Sequence, residues 1–373
     1  MEERTRSEIL DRQLRVVIVA PRIEHLIGGQ EVQAQLLLRL WRDDSALHIS
    51  YVATNLALPE WLERIPILRT AARFPLYLAA LLSELRQVDV VHIFSASFSS
   101  FLIATLPAYS VSRLLAKRVL INYRSGLARS HLNASPVAQR ILRRADKVLV
   151  PSSYLVDVFR EFGVSAEAIS NVVDPTLFSY RSRAPLRPLL LCSRNLEPCY
   201  GIDNVLQAFA EVQKTFPEAR LWLLGEGSQA TSIRRLIADL KLTGVEMPGR
   251  VPRERIGHYY DQADILINAS RVDNMPVSIL EAFASGLSVV STNVGGIPCI
   301  VRHGETGLLS NPDDPKQLAA NAIRLLQDAA LARCLTENAR QQSSAYRWEE
   351  IRPLWLRIYQ ELGSGTPSTG VGR

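Results

Sequence analysis

Residues Asn268–Pro298 read NASRVDNMPVSILEAFASGLSVVSTNVGGIP. A short apolar run, Asp264–Asn268, leads into this stretch and reads as a strand. Ser270–Met275 is a polar loop, Val277–Ser285 has helical spacing, and Ser288–Ser291 is a second β-branched run. Pro276 suits the first turn of the helix, where its missing N–H leaves nothing unsatisfied. Strand, loop, helix and strand in that order make a parallel βαβ unit. The same rhythm extends in both directions. Arg15–Ala20, Asp89–Phe94, Val119–Ile121 and Lys147–Val150 read as strands in the first half, with a helix at Glu31–Trp41. Leu189–Cys192 and Arg220–Leu224 add strands in the second, with helices at Asp203–Thr215, Ser232–Leu240 and Pro315–Gln327. Strands spaced by helices predict parallel sheets covered on both faces, so the fold class is α/β, with two doubly wound, Rossmann-like domains.

The length agrees: 373 residues exceed what one core usually organises. The expected domains are 1–180 and 188–345, with a C-terminal helix, 346–363, completing the first. Asp174–Pro188 reads as the linker, because Pro175, Pro185 and Pro188 stand among charged residues. Hydrophobic residues make up 47% and charged residues 21%, which excludes wholesale disorder. The least charged stretch, Phe94–Ser112, is broken by Pro107 and serines and makes a poor spanning helix. Met1–Arg15 lacks the apolar core of a secretory signal. The expected location is therefore cytoplasmic. Cys192, Cys199, Cys299 and Cys334 lack metal-ligand spacing and read as buried free thiols.

The net charge of +6 is uneven: Arg64–Lys147 holds thirteen Lys and Arg against three acids. Such a stretch suits an anionic membrane surface, at the inner face of the membrane, or a phosphorylated substrate. No aromatic-interleaved basic motif or zinc knuckle appears, so nucleic acid is not an expected partner. No H-e-x-x-H type or D-x-D set appears, so no metal is expected.

Several loops could carry chemistry. Gly28 and Gly29 open a helix after the first strand and could let a ligand approach the backbone; a plain turn explains the pair at least as often. In the decisive stretch, the amides of Met275, Pro276's neighbour Val277 and Ser278 could hold a pyrophosphate at the helix start. Glu281, eight residues beyond Asp273, could accept hydrogen bonds from ribose hydroxyls. The competing reading makes Glu281 a solvated helix acid and Asp273 a cap. Arg194, after the first strand of the second domain, suits phosphate oxygens, or a surface ion pair with Glu197. Gly225 and Gly227 form a third loop, and Arg250 and Val251 a fourth suited to backbone contacts with a nucleobase.

In order, the pieces are Arg194; Leu223–Gly227; Met247–Val251; Ala263–Ile265; Asp273 to Glu281 with Ala282–Gly286; Gly295–Pro298; and Gly304–Leu309, preceded by Gly28–Glu31 and Asn171–Asp174. This series resembles the retaining glycosyltransferases of family 4, group 1, over nearly the whole chain and most strongly from Leu189 to Leu309. The resemblance implies a GT-B architecture of two facing Rossmann-like domains, the last helix crossing back onto the first. It also implies transfer of a sugar from a nucleotide-sugar donor to an acceptor hydroxyl, with retention and with no cofactor or metal. The acceptor would be a carbohydrate or a lipid-linked molecule. Arg194, Asp273 and Glu281 fall on the family's catalytic positions, and Pro276, Met275, Val277, Ser278 and the glycine loops on donor-binding ones. His92, in VVHIF, matches a place the family often fills with His, and a core histidine competes with that role. His25, near the glycine loop, is a candidate acceptor contact.

Two departures stand out. Asp273 replaces the usual Glu, which shortens its reach. Tyr200, before Gly201, stands where a lysine is usual, so half of the diphosphate-neutralising pair is missing. Arg124, on a loop of the first domain where a histidine is usual, is the candidate for the missing charge and for acceptor contact. Rival readings are a catalytically degenerate partner protein, which Tyr200 favours, and a nucleotide-sugar 2-epimerase, for which no acid/base set is visible.

Overall fold

The computed structural model describes residues 13–22, 28–59, 65–183 and 185–364. The chain forms two compact units. Of the described residues, one unit comprises those up to Pro151, Leu155–Ile169 and those from Ile351 onward; the other comprises Ser152–Tyr154 and those within Ser170–Glu350.

Among the described residues, the first unit is built on six strands: β1 (Leu14–Ala20), β2 (Leu47–Ala53), β3 (Val90–Ser95), β4 (Arg118–Tyr123), β5 (Lys147–Val150) and β6 (Glu167–Ala168). They lie in the order β2-β1-β3-β4-β5-β6, every pair parallel. Val16–Ala20 are fully buried because helices cover both faces of the sheet. Those helices include α1 (Gly29–Trp41), α2 (Pro66–Leu85), α3 (Leu106–Leu114), α4 (Ala128–Ala134), α5 (Pro136–Arg144) and α6 (Ser153–Glu161).

The second unit repeats the plan with β7 (Leu189–Ser193), β8 (Arg220–Leu224), β9 (Val245–Gly249), β10 (Ile265–Asn268), β11 (Ser288–Thr292) and β12 (Leu308–Ser310). Their order is β12-β11-β10-β7-β8-β9, again parallel. The helices are α7 (Ile202–Thr215), α8 (Ala230–Asp239), α9 (Arg253–Gln262), α10 (Val277–Ser285), α11 (Pro315–Gln327) and α12 (Ala329–Ser343), followed by α13 (Trp348–Gly363). From Ile351 on, α13 belongs to the first unit, where Trp355, Ile358 and Tyr359 are buried and Tyr359 meets Trp41 edge-on at 6.2 Å. Strand order reverses direction at β1/β3 in one unit and at β7/β10 in the other. Open α/β sheets bind ligands beyond the strand ends at such points.

The expected linker is corrected by the structure. Asp174–Pro188 is a strap within the second unit, not a tether. Arg183 is fully enclosed and donates to the carbonyls of Arg181, Tyr260, Asp261, Ala263 and Ser285. Three of these are the terminal carbonyls of α9 and α10, which lack partners inside their own helices and carry partial negative charge. Asp264, 2% exposed at its side chain, accepts from the Arg187 backbone and guanidinium. Arginine in a proline-rich stretch therefore marks packing here. The four cysteines are free, but only Cys192 is buried; Cys299 and Cys334 are exposed.

Candidate functional site

At the switch point of the second unit, Ser193 ends β7 and Asn268 ends the adjacent β10. Arg194 follows the one and the loop Ala269–Pro276 the other. The Arg194 guanidinium, 12% exposed, pairs with Asp273 and reaches Ser270 Oγ at 3.5 Å. Its Cζ lies 4.1 Å from the centre of the Tyr200 ring, so the residue that replaces a lysine forms the floor beneath the arginine. Burial opposes the Arg194 charge, but Asp273, with smaller help from Tyr200, outweighs it and leaves the pKa raised. Its Nε is buried with no hydrogen-bond partner. Asp273 is held in turn: Oδ1 accepts from the Asn274 amide at 2.9 Å, and Ser270 Oγ lies 3.0 Å from Oδ2. Arg271 clamps the loop to its neighbours through Asp203, Asp313 and the Pro198 carbonyl.

Helix α10 starts from this loop. Pro276 is its N-cap and supplies no side-chain bond to the first-turn amides. Asn171 Nδ2 donates to the Met275 carbonyl at 2.8 Å, which ties down the residue before the helix. Ser278 Oγ is buried without a partner. Glu281 is not a solvated helix acid: it is 3% exposed and accepts from Arg253 Nη1 at 2.5 Å. A carboxylate that deep stays charged only when paired. Asp273 is no simple cap either, since it pairs with Arg194.

The glycines have a structural task. A Cβ on Gly225 or Gly227 would run into the backbone of Arg194 or Leu196, and one on Gly295 or Gly296 into the Asp273 or Asn274 carbonyl. Their absence of side chain lets each loop lie flat on the next. Gly225 also has φ +136, which disfavours other residues. Of the expected base-side pair, Arg250 is exposed, while Val251 packs on the apolar cluster around α10. The alternative reading of Arg194, a surface ion pair with Glu197, does not hold; Glu197 accepts from the Ser228 amide and hydroxyl.

In the first unit, Gly28 caps α1 and accepts from the Val32 amide at 3.2 Å, with Gly29 opening the helix. His25 lies outside the described residues. His92 does not fit an acceptor contact: it is fully buried, Nε2 faces Asn122 Nδ2 at 3.2 Å, and Nδ1 faces Tyr359 Oη at 2.8 Å. Burial, helped by Arg124, holds its pKa down to about 3. Arg124 is half-buried over the Phe94 ring, 5.4 Å from its centre, and burial lowers its pKa to about 10. No set of three or more His, Cys, Asp or Glu among the described residues is placed to hold a metal.

Sequence reasoning missed Arg253. The signal was present: an arginine opening a helix stands at the wrong end of the helix dipole and needs a carboxylate to compensate.

Two family models match in succession: Glycosyltransferase Family 4 over residues 9–177 and Glycosyl transferases group 1 over residues 181–342. The chain is 25% identical over 315 residues to N-acetyl-alpha-D-glucosaminyl L-malate synthase of Bacillus anthracis, covering 78% of this chain and 81% of that protein. It is 28% identical over 242 residues to a GDP-mannose-dependent phosphatidylinositol monomannoside mannosyltransferase of Mycobacterium tuberculosis, covering 58% and 63% respectively. Among solved structures, sucrose-phosphate synthase from Thermosynechococcus elongatus superposes with a TM-score of 0.76 at 21% identity, over 95% of this chain and 100% of that one. Anabaena HepE in complex with UDP-glucose gives 0.72 at 17%, over 94% and 100%. At these identities the structural likeness carries the fold.

Proposed function

We propose a reaction from one premise: the chain belongs to the group 1 glycosyl transferases of glycosyltransferase family 4 and has their GT-B fold. It transfers a sugar from a nucleotide-sugar donor to an acceptor hydroxyl, with retention at the anomeric carbon, in the assembly of a polysaccharide, glycolipid or other glycoconjugate. The observation that supports this best is the pairing, on neighbouring strand ends, of a buried guanidinium with a helix start whose amides no side chain caps. That combination suits a diphosphate. A relative named as a mannosyltransferase, and neighbours solved with UDP or UDP-glucose, point the same way.

In the proposed step the bond from the anomeric carbon to the phosphate oxygen breaks, and a bond to the acceptor oxygen forms on the same face. The departing phosphate oxygen takes the acceptor proton. Negative charge grows on the diphosphate, and Arg194 with the amides of Val277 and Ser278 would meet it there. Glu281 would accept from the ribose hydroxyls, and Asp273 would orient Arg194 and the donor sugar. No residue is required as a nucleophile, and the step assigns no role to a metal.

The acceptor is assigned to the first unit, at its β1/β3 switch point. Phe98, just past β3, has a φ of +53 and a 41% exposed side chain; such left-handed strain in a non-glycine residue gathers at functional sites. The acceptor is read as lipid-linked, presented at an anionic membrane surface. Leu68, Leu76, Leu102 and Ile103 are each 48% exposed, and Tyr77 ties α2 to the Ala104 carbonyl at 2.9 Å. A helix normally turns its large apolar residues to the core, yet α2 exposes Leu68, Phe74 and Leu76. The basic excess of the same region complements anionic headgroups. Among the described residues no helix is long and apolar enough to cross a membrane.

The test is a panel of nucleotide sugars, scored by thermal stabilisation and by release of nucleoside diphosphate. One donor that stabilises and is slowly hydrolysed without acceptor is the expected result. Failure of every donor to bind supports instead the degenerate partner that Tyr200 favours.

A further inference from the structure

Both acids of the eight-residue step carry an arginine partner: Asp273 has Arg194, and Glu281 has Arg253. The second pair has an unusual setting. Arg253 opens α9, where the helix dipole opposes a cation, and it is 11% exposed. Its guanidinium carbon lies 5.2 Å from the Phe178 ring centre. Burial opposes its charge, and Glu281 outweighs burial, with smaller help from Tyr260 and Asp174. Nη1 holds Glu281 Oε1, while Nη2 is buried without a hydrogen-bond partner. Tyr260, fully buried, closes the same group.

This arrangement costs more than a stabilising contact needs. Two charges have been taken out of water, and replacing a buried ion pair by apolar residues of similar volume is often neutral or stabilising. An ion pair kept under those conditions is explained by what it does to the carboxylate. Resting on the proposed nucleotide reading of the site, we infer that Arg253 is a positioning residue that fixes the Glu281 carboxylate through one oxygen and turns the other toward the ribose hydroxyls of the donor. Arg253 then sets the discrimination between ribose and deoxyribose nucleotides, because a carboxylate locked in place and charged gains from a ligand hydroxyl and gains nothing where the hydroxyl is missing. Phe178 and the α9 start supply the rigid mount that keeps the guanidinium from following the carboxylate outward.

The experiment uses UDP or GDP, whichever stabilises the wild type more, and the same diphosphate built on 2′,3′-dideoxyribose. Dissociation constants are measured by calorimetry for the wild type, Arg253→Gln, Glu281→Gln and the double variant. The wild type should bind the ribose form about tenfold more tightly, the worth of one hydrogen bond to a charged group. Arg253→Gln should lose most of that preference while binding the dideoxy form within about twofold of wild type. The double variant should resemble either single one. Equal losses on both sugars, or none, overturn the inference while leaving nucleotide binding standing. A wild type that binds neither diphosphate removes the nucleotide reading and this inference together. If Arg253→Gln fails to fold, Arg253→Lys keeps a cation in place: a loss confined to the ribose form supports positioning, and a loss shared by both forms overturns it.

Discussion

Arg194 shows what one residue can and cannot reveal. Its place after an apolar strand was readable, as was the chemistry of a guanidinium near a phosphate. Its partner was not, because Asp273 is 79 residues away and only the pairing of β7 with β10 brings the loops together. Arg194→Gln should lower kcat by about 10²–10³-fold, the effect of losing one preorganised donor. The melting temperature should fall little, since Asp273 keeps the Ser270 hydroxyl and the Asn274 amide. Steady-state kinetics beside thermal denaturation decides this; full turnover in a less stable protein would make Arg194 structural. Arg124 is the second residue to probe. If it supplies the charge Tyr200 lacks, Arg124→Ala weakens nucleoside diphosphate binding about tenfold, as loss of one charge-assisted bond would. Unchanged affinity rejects that role.

At the level of elements, the strap and the last helix carry separable predictions. Arg183 bonds carbonyls at the ends of both α9 and α10, sharing those of Asp261 and Ser285 with Arg181. Arg183→Met should destabilise the protein by about 3–5 kcal/mol, the usual cost of breaking a buried charged network. Chemical denaturation checks it, and a change under about 1 kcal/mol would mean water replaces the guanidinium. His92 links β3 to α13 through Tyr359, and its pKa falls from 6.5 to about 3. The folded state therefore keeps His92 neutral while the unfolded chain takes a proton below pH 6.5. The stability is fully present above 6.5 and declines toward about pH 3, by up to about 1.4 kcal/mol per pH unit from this group. Denaturation curves of wild type and His92→Phe between pH 4 and 7, set by that window, should differ in slope, the variant being the flatter. Identical slopes would place the proton uptake elsewhere. The elements themselves were uneven in legibility. Val277–Ser285, Pro315–Gln327, Arg220–Leu224 and Lys147–Val150 have the predicted bounds, because apolar period and flanking breakers agree there. β9 went unread: Pro248 and exposed alternate positions suit an edge strand, and edge strands lack the continuous apolar run of buried ones.

For the whole molecule, the membrane reading makes a physical demand. Vesicles containing phosphatidylserine should sediment the protein at low salt, and high salt or neutral vesicles should release it. Replacing Leu68, Leu76, Leu102 and Ile103 with serine should abolish sedimentation with the catalytic site intact; undiminished binding would reject the apolar face. Sequence alone sufficed for two parallel-sheet units, for most of their strands and for the loops that carry Arg194, Asp273 and Glu281. Local periodicity encodes strands and helices, and parallel sheets dictate that ligand loops sit at strand ends. It could not supply the pairings, because an ion pair depends on which loops the strand order makes neighbours. Hence Arg253 joined Glu281, Tyr200 settled beneath Arg194, His92 withdrew into the core, and a proline-rich stretch proved to be packed backbone around Arg183 only once the chain had folded.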